Sequence, residues 1–276
     1  MSNVALPVIF TAVVWWSTTG LILFLNRLPA RSFPRSLAVA TAVMAVALLE
    51  LHASAGTQSA ATAYAAFTAT IAVWGWLEIS FLMGFVTGPR RHACPAGCDG
   101  LPHFGHALGA ILYHEFAILA CAAGIYLLTR NAANAVGWET FLVLWFMRQS
   151  AKLNLFLGVP NLGEVYLPSH IRYLASLFRR RPMNLLFPLS VTLGTLACAY
   201  FVRAAATDTT TGAFTGDTIL ATLTALGLLE HWFMVLPLPT EQLWSWSLQR
   251  TQAPPVTLQV VGAPPDWVRE PWEDVT

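Results

Sequence analysis

Charge is what this chain has least of. Lys, Arg, Asp and Glu make up 11% of its 276 residues and hydrophobic residues 56%. An average soluble domain carries roughly 25% charge. The 15 basic and 14 acidic side chains leave a formal net charge of +1, so no dominating basic field exists to bind nucleic acid. This deficit excludes an ordinary soluble globule and a disordered chain, and leaves an integral membrane protein. Cysteine is sparse too: Cys94, Cys98, Cys121 and Cys198 are too few and too unevenly spaced for a disulfide scaffold. Lysine is scarcer still, because Lys152 is the single example.

What the chain does have is long apolar windows. A helix crossing the hydrocarbon needs about 20 mostly apolar residues. Seven such windows run from Asn3 to Leu25, Leu37 to Ala55, Tyr64 to Val86, Phe104 to Thr129, Trp138 to Gly158, Leu185 to Val202 and Asp217 to Leu236. No small-residue cleavage site follows the first, so it is expected to remain as an anchor. The expected fold is all-α: a polytopic membrane bundle of about seven transmembrane helices over residues 1–240, with an interfacial amphipathic helix. Residues 241–276 form a short, extended, cytoplasmic C-terminal tail.

Loops one, three and five carry Arg27, Arg31, Arg35, Arg90, Arg91, Arg172, Arg179, Arg180 and Arg181, whereas the even loops hold only Arg130 and Arg203. Under the positive-inside rule this puts the N-terminus in the periplasm and the C-terminus in the cytoplasm. The same topology places Cys94 and Cys98 in a reducing compartment, which argues against a disulfide between them. No internal repeat of fixed period is present, so an inverted-repeat transporter is not supported.

Ionised groups inside a bilayer are costly and need a partner or a purpose. Glu78, His114, Glu115, Arg148, Lys152, Glu230 and His231 fall near mid-membrane on the third, fourth, fifth and seventh spans, with Asn154 beside the lysine. Convergence in the bundle interior is expected. Arg148 and Lys152 are four residues apart and share a helix face, so an ion-pair network with Glu78, Glu115 or Glu230 is one reading. A lone lysine in a seven-span chain invites a retinal Schiff base, which its fifth-span position beside Asn154 disfavours. A metal or tetrapyrrole site built from His114, Glu115, Glu230 and His231 is the sharper reading, since imidazole and carboxylate suit iron or zinc. Adjacent residues point about 100° apart, so at most one member of each pair faces a shared centre.

The third loop, His92 to His103, carries Cys94 and Cys98, with His106 just inside the next span. Two thiols and several imidazoles suit tetrahedral zinc, but reduced thiols in a Pro/Gly-rich turn are the simpler expectation. In the fifth loop Gly158 and Pro160 break the helix, and Ser169 is placed to cap a new one. Ile171, Leu174 and Phe178 then recur beside arginines, as in a helix on the membrane surface. Glu164 and His170 are candidates to fold back over the mouth of the polar cluster. Past the last span, Thr240 precedes a short capped helix with Trp244 and Trp246 at headgroup level. Trp267 and Trp272 lie in an acidic, proline-rich tail and are candidate partner anchors.

Trp74 to Glu78, His114-Glu115, the stretch from Lys152 to His170, and Glu230 to Phe233 together resemble the photosynthetic complex assembly protein 2 family, PuhE. The likeness covers about residues 3 to 250. It implies a multi-pass protein of the inner or intracytoplasmic membrane of a purple phototrophic bacterium. It further implies a role in assembling the photosynthetic reaction centre and light-harvesting antenna, whose subunits would be its partners, or in bacteriochlorophyll supply. The expected function is therefore a non-enzymatic assembly factor. The competing expectation is an intramembrane His/Glu metal-dependent oxidoreductase or tetrapyrrole-modifying enzyme. Candidate cofactors are bacteriochlorophyll or another tetrapyrrole, or bound iron or zinc. A channel or proton-coupled transporter is a third class, made less attractive by the missing repeat.

Overall fold

The computed structural model describes residues 4–247. Seven long helices follow one another: α1 (Ala5–Leu25), α2 (Phe33–Ser54), α3 (Ala60–Leu82), α4 (Gly100–Thr129), α5 (Val136–Leu157), α6 (Leu186–Thr207) and α7 (Thr211–Phe233). No strand occurs among the described residues. Six of the helices are long and apolar enough to cross a membrane. The exception, α5, carries Glu139, Arg148 and Lys152, and it packs against α3, α4, α6 and α7. Neighbouring helices rather than lipid thus meet its polar groups. The chain is a polytopic helical bundle.

The helices match the apolar windows, with shifts at both ends: α3 stops at Leu82 rather than Val86, and α6 runs on to Thr207 rather than Val202. Local capping explains two of the shifted starts. Ser59 and Thr62 form a reciprocal capping box, so α3 begins at Ala60 rather than Tyr64. Thr210 accepts from the Ala213 N–H, so α7 begins at Thr211 rather than Asp217. Asp99 accepts from the Gly100 N–H at the head of α4 and pairs with Arg179. Those two contacts hold its carboxyl below the usual carboxylate range.

Helix α3 sits at the centre, with Phe67, Val73 and Leu77 completely buried, and it joins α1, α2, α4, α5 and α7. The main apolar core adds Leu51 from α2, Ile118 and Ile125 from α4, Phe141 from α5, and Ile219 and Leu223 from α7. By contrast α1, α2 and α6 expose apolar side chains such as Ile9, Val39 and Leu196 along their outer faces, as lipid-facing helices do.

Two short elements depart from expectation. The predicted surface α-helix is instead a 3-10 helix, Ser169–Leu177, whose buried residues are Ile171, Leu174 and Leu177. Three residues per turn place that set on one edge, and Phe178 falls just past the end. The edge packs on Phe81 and Ala110 of the bundle itself, so the segment plugs the arginine-rich end. Ser169 makes no capping bond; Pro168 precedes the helix. The second is Thr240–Trp244, also a 3-10 helix, without the expected side-chain cap. Its Trp244 is buried, donating from Nε1 to the Trp16 carbonyl at 3.1 Å. Trp246 stays half exposed beside Trp16. The acidic tail with Trp267 and Trp272 lies outside the described residues.

Candidate functional site

Between α1, α3, α4, α5 and α7 the bundle encloses a cavity of about 650 Å³. Its walls are largely apolar and aromatic: Ile22 from α1, Trp74 and Phe81 from α3, Phe104 and Ile111 from α4, Leu144 and Phe156 from α5, and Phe233 from α7. Leu167, Leu174, Leu177 and Phe178 close the arginine-rich end. The volume is that of a small-molecule site, typically about 300–1,000 Å³.

Into this apolar space project Trp15, Glu78, Glu115, Arg148, Gln149, Lys152 and Glu230. Arg148 donates to Glu78 at 2.9 Å, linking α5 to α3. One turn on, Lys152 donates to Glu115 at 2.6 Å, linking α5 to α4, and the Gln149 amide reaches the other oxygen of the same carboxylate. The four-residue spacing of the two cations points both into the cavity. Their charges face partners in a low-dielectric setting, where an unpaired ion would be costly. Glu230 differs. Among the described residues it is exposed where it lines the cavity, accepts one bond, from the Trp15 indole at 3.0 Å, and makes no ion pair. Among the described residues that line the cavity, Glu78 Oε1 and Arg148 Nε are also buried without a partner.

The remaining sequence candidates are distributed around this space. His114 is completely buried with both ring nitrogens unpartnered, and its ring lies 4.5 Å from that of Phe81, a cavity-wall residue. His231 is saturated: Nδ1 donates to the Gly227 carbonyl at 2.8 Å, which leaves Nε2 to accept from Ser150 at 2.9 Å. Asn154 donates to the Ser150 carbonyl at 2.9 Å and to Ser190 at 3.0 Å, tying α5 to α6.

Among the described residues, no three members of the quartet His114, Glu115, Glu230 and His231 bring their ligand atoms within 4.8 Å of one another. Its acids are engaged by Lys152, Gln149 and Trp15, and one imidazole by the helix backbone and Ser150. Among the described residues, the group of three or more metal-type side chains with ligand atoms within 4.8 Å of one another is Cys94, Cys98 and His106. Nor do Glu164 and His170 cover the polar cluster: Glu164 sits 3.8 Å from Arg180, and His170 donates to the Leu82 carbonyl at 2.8 Å. Apolar residues of the plug do the covering. All four cysteines are free.

Gln149, Trp15 and Ser150 were not singled out from the sequence. Gln149 and Ser150 sit between Arg148 and Lys152 on α5, so proximity to two intramembrane cations was the signal available. Trp15 gave none, since an indole in an apolar span is ordinary.

Residues 1–255 match the family described as protein of unknown function (DUF3623). A relative from Rhodobacter capsulatus, described as an uncharacterized 30.4 kDa protein in the puhA 5' region, is 40% identical over 262 residues, covering 94% of this chain and 96% of its own. No solved structure matches the chain.

Proposed function

This chain belongs to the DUF3623 family, and on that premise we propose that it is an assembly factor for the photosynthetic reaction centre and light-harvesting complexes. In this reading it is a multi-pass protein of the bacterial inner or intracytoplasmic membrane, with its N-terminus in the periplasm and its C-terminus in the cytoplasm. It holds a tetrapyrrole pigment or precursor in the central cavity, and its partners are reaction-centre and antenna subunits. The motif resemblance to PuhE and the relative's position in the puhA 5' region support the photosynthetic setting.

The observation that carries the ligand is the mismatch between walls and floor of the cavity. Apolar and aromatic walls suit a flat, apolar ring. The exposed Glu230 carboxylate and the unpartnered Glu78 oxygen suit its polar substituents. An intramembrane metal-dependent oxidoreductase draws no support from this arrangement, because its four supposed ligands are dispersed.

Two measurements in a phototrophic host test the reading. Protein purified in detergent is expected to carry tetrapyrrole absorption that is lost in Ala107→Trp, which fills the cavity beside Ile111. Deleting the gene is expected to lower reaction-centre and antenna absorption in the membrane, with recovery on complementation. Unchanged photosynthetic absorption in the deletion strain would refute the assembly role. Pigment-free wild-type protein would refute the cavity ligand.

A further inference from the structure

Outside the cavity, the loop between α3 and α4 and the head of α4 draw Cys94, Cys98 and His106 together, with His103 against Cys94. Cys94 and Cys98 are brought near one another by a tight turn in which the Cys98 N–H donates to the Pro95 carbonyl at 3.2 Å. Asp99 then caps α4, whose first turns present His103 and His106 three residues apart, on one face. Cys94 Sγ and Cys98 Sγ each lie 3.2 Å from the same atom, Nδ1 of His106. The Nδ1 of His103 lies 3.3 Å from Cys94 Sγ.

Hydrogen bonding alone accounts poorly for this convergence. One imidazole nitrogen has one lone pair, and here two sulfurs crowd it. A shared cation gives them a common purpose. With bond lengths of about 2.3 Å to sulfur and about 2.05 Å to nitrogen, tetrahedral zinc spaces S and N roughly 3.6 Å apart. The sulfur–nitrogen separations here are within a few tenths of an ångström of that. The outer contacts fit too. His103 Nε2 donates to the Leu177 carbonyl at 3.3 Å, which fixes the tautomer with the Nδ1 lone pair toward Cys94. The Cys94 N–H donates to Ser176 at 2.8 Å.

We propose that Cys94, Cys98 and His106, with His103 as the fourth ligand, form a structural zinc site. The site welds the α3–α4 loop to the head of α4 and, through Ser176 and Leu177, to the 3-10 plug that closes the cavity. Two thiolates and two imidazoles favour zinc over harder cations, and four protein ligands leave no open position for chemistry. The proposal is independent of what the cavity holds.

Metal analysis of the full chain purified in detergent tests it. The expected content is roughly one zinc per chain. Cys94→Ser, Cys98→Ser and His106→Ala each lower it at least about tenfold, while Cys121→Ser retains it. Wild-type protein that takes up no zinc after incubation with Zn²⁺, or full zinc content in the Cys94→Ser/Cys98→Ser double variant, overturns the proposal. Should the variants fail to accumulate, cobalt substitution of the wild type decides: thiolate-to-cobalt charge transfer with tetrahedral d–d bands supports the site, and their absence overturns it.

Discussion

Lys152 reaches from α5 to Glu115 on α4 at 2.6 Å, and it is the chain's one lysine. Both side chains retain 18% exposure, toward the cavity. Removing one partner of such a pair strands the other, at a cost of up to about 3–5 kcal/mol when the pair is fully buried. Partial exposure lessens that cost. Lys152→Ala is therefore expected to lower the protein's level in the membrane and its melting temperature in detergent. The double variant Lys152→Met/Glu115→Leu should recover much of the loss, because no charge is left unpaired. Arg31→Ala, in the exposed 3-10 turn Ala30–Ser32 that leads into α2, should change neither reading. A double variant no better than Lys152→Ala would show that the two do not act as a pair.

His231 binds Ser150 and its own helix backbone with both nitrogens. Replacing it with alanine leaves the Ser150 hydroxyl without its acceptor and opens a void, costing about 1–3 kcal/mol. The expected signature is a lower melting temperature with bound metal unchanged. Loss of metal in His231→Ala would restore the His/Glu metal centre that the geometry argues against.

How much of this could be read from the sequence differs by element. The long helices were legible, because hydrocarbon thickness and the 1.5 Å rise per residue set the apolar run to look for, and so was the shared face of Arg148 and Lys152, four residues apart. Which acid each cation would choose was not, since that depends on helix rotation and order around the bundle. Arg148 takes Glu78 on α3 and Lys152 takes Glu115 on α4, while Glu230 takes an indole. The plug shows a different limit. Ile171, Leu174 and Leu177 at spacing three, and Ile171, Leu174 and Phe178 at mixed three and four, are both present in the sequence. Only contact with Phe81 and Ala110 selects the tighter winding.

A Cβ at Gly88 would stand 2.1 Å from the Gly109 carbonyl oxygen and 2.6 Å from the Ala110 carbonyl carbon. Those are backbone atoms and cannot rotate away, so Gly88→Ala must push the loop off α4. The loop's Arg90 N–H bond to Gly109 would go with it. Overpacking of this kind costs about 1–3 kcal/mol. Gly124→Ala, on the same helix with open space at its Cβ, should be neutral or slightly stabilising. Equal melting temperatures for the two variants would contradict the close approach of loop and helix.

Among the described residues, Trp15 supplies the one hydrogen bond that Glu230 receives, from α1 to α7 at the cavity wall. Trp15→Phe keeps most of the aromatic surface but removes the N–H donor. Because Glu230 is exposed to the cavity, water can take the donor's place, and the stability cost should stay at about 1 kcal/mol or less. The orientation of the carboxylate is what changes. A ligand that depends on Glu230 should therefore be retained less well during purification of Trp15→Phe, and no better than in Glu230→Gln. Trp246→Phe, whose half-exposed indole lies against Trp16 of α1, should retain it fully. Absorption of the co-purified ligand relative to protein measures all three. Full retention in both Trp15→Phe and Glu230→Gln would remove Glu230 from the binding surface and leave recognition to the apolar walls.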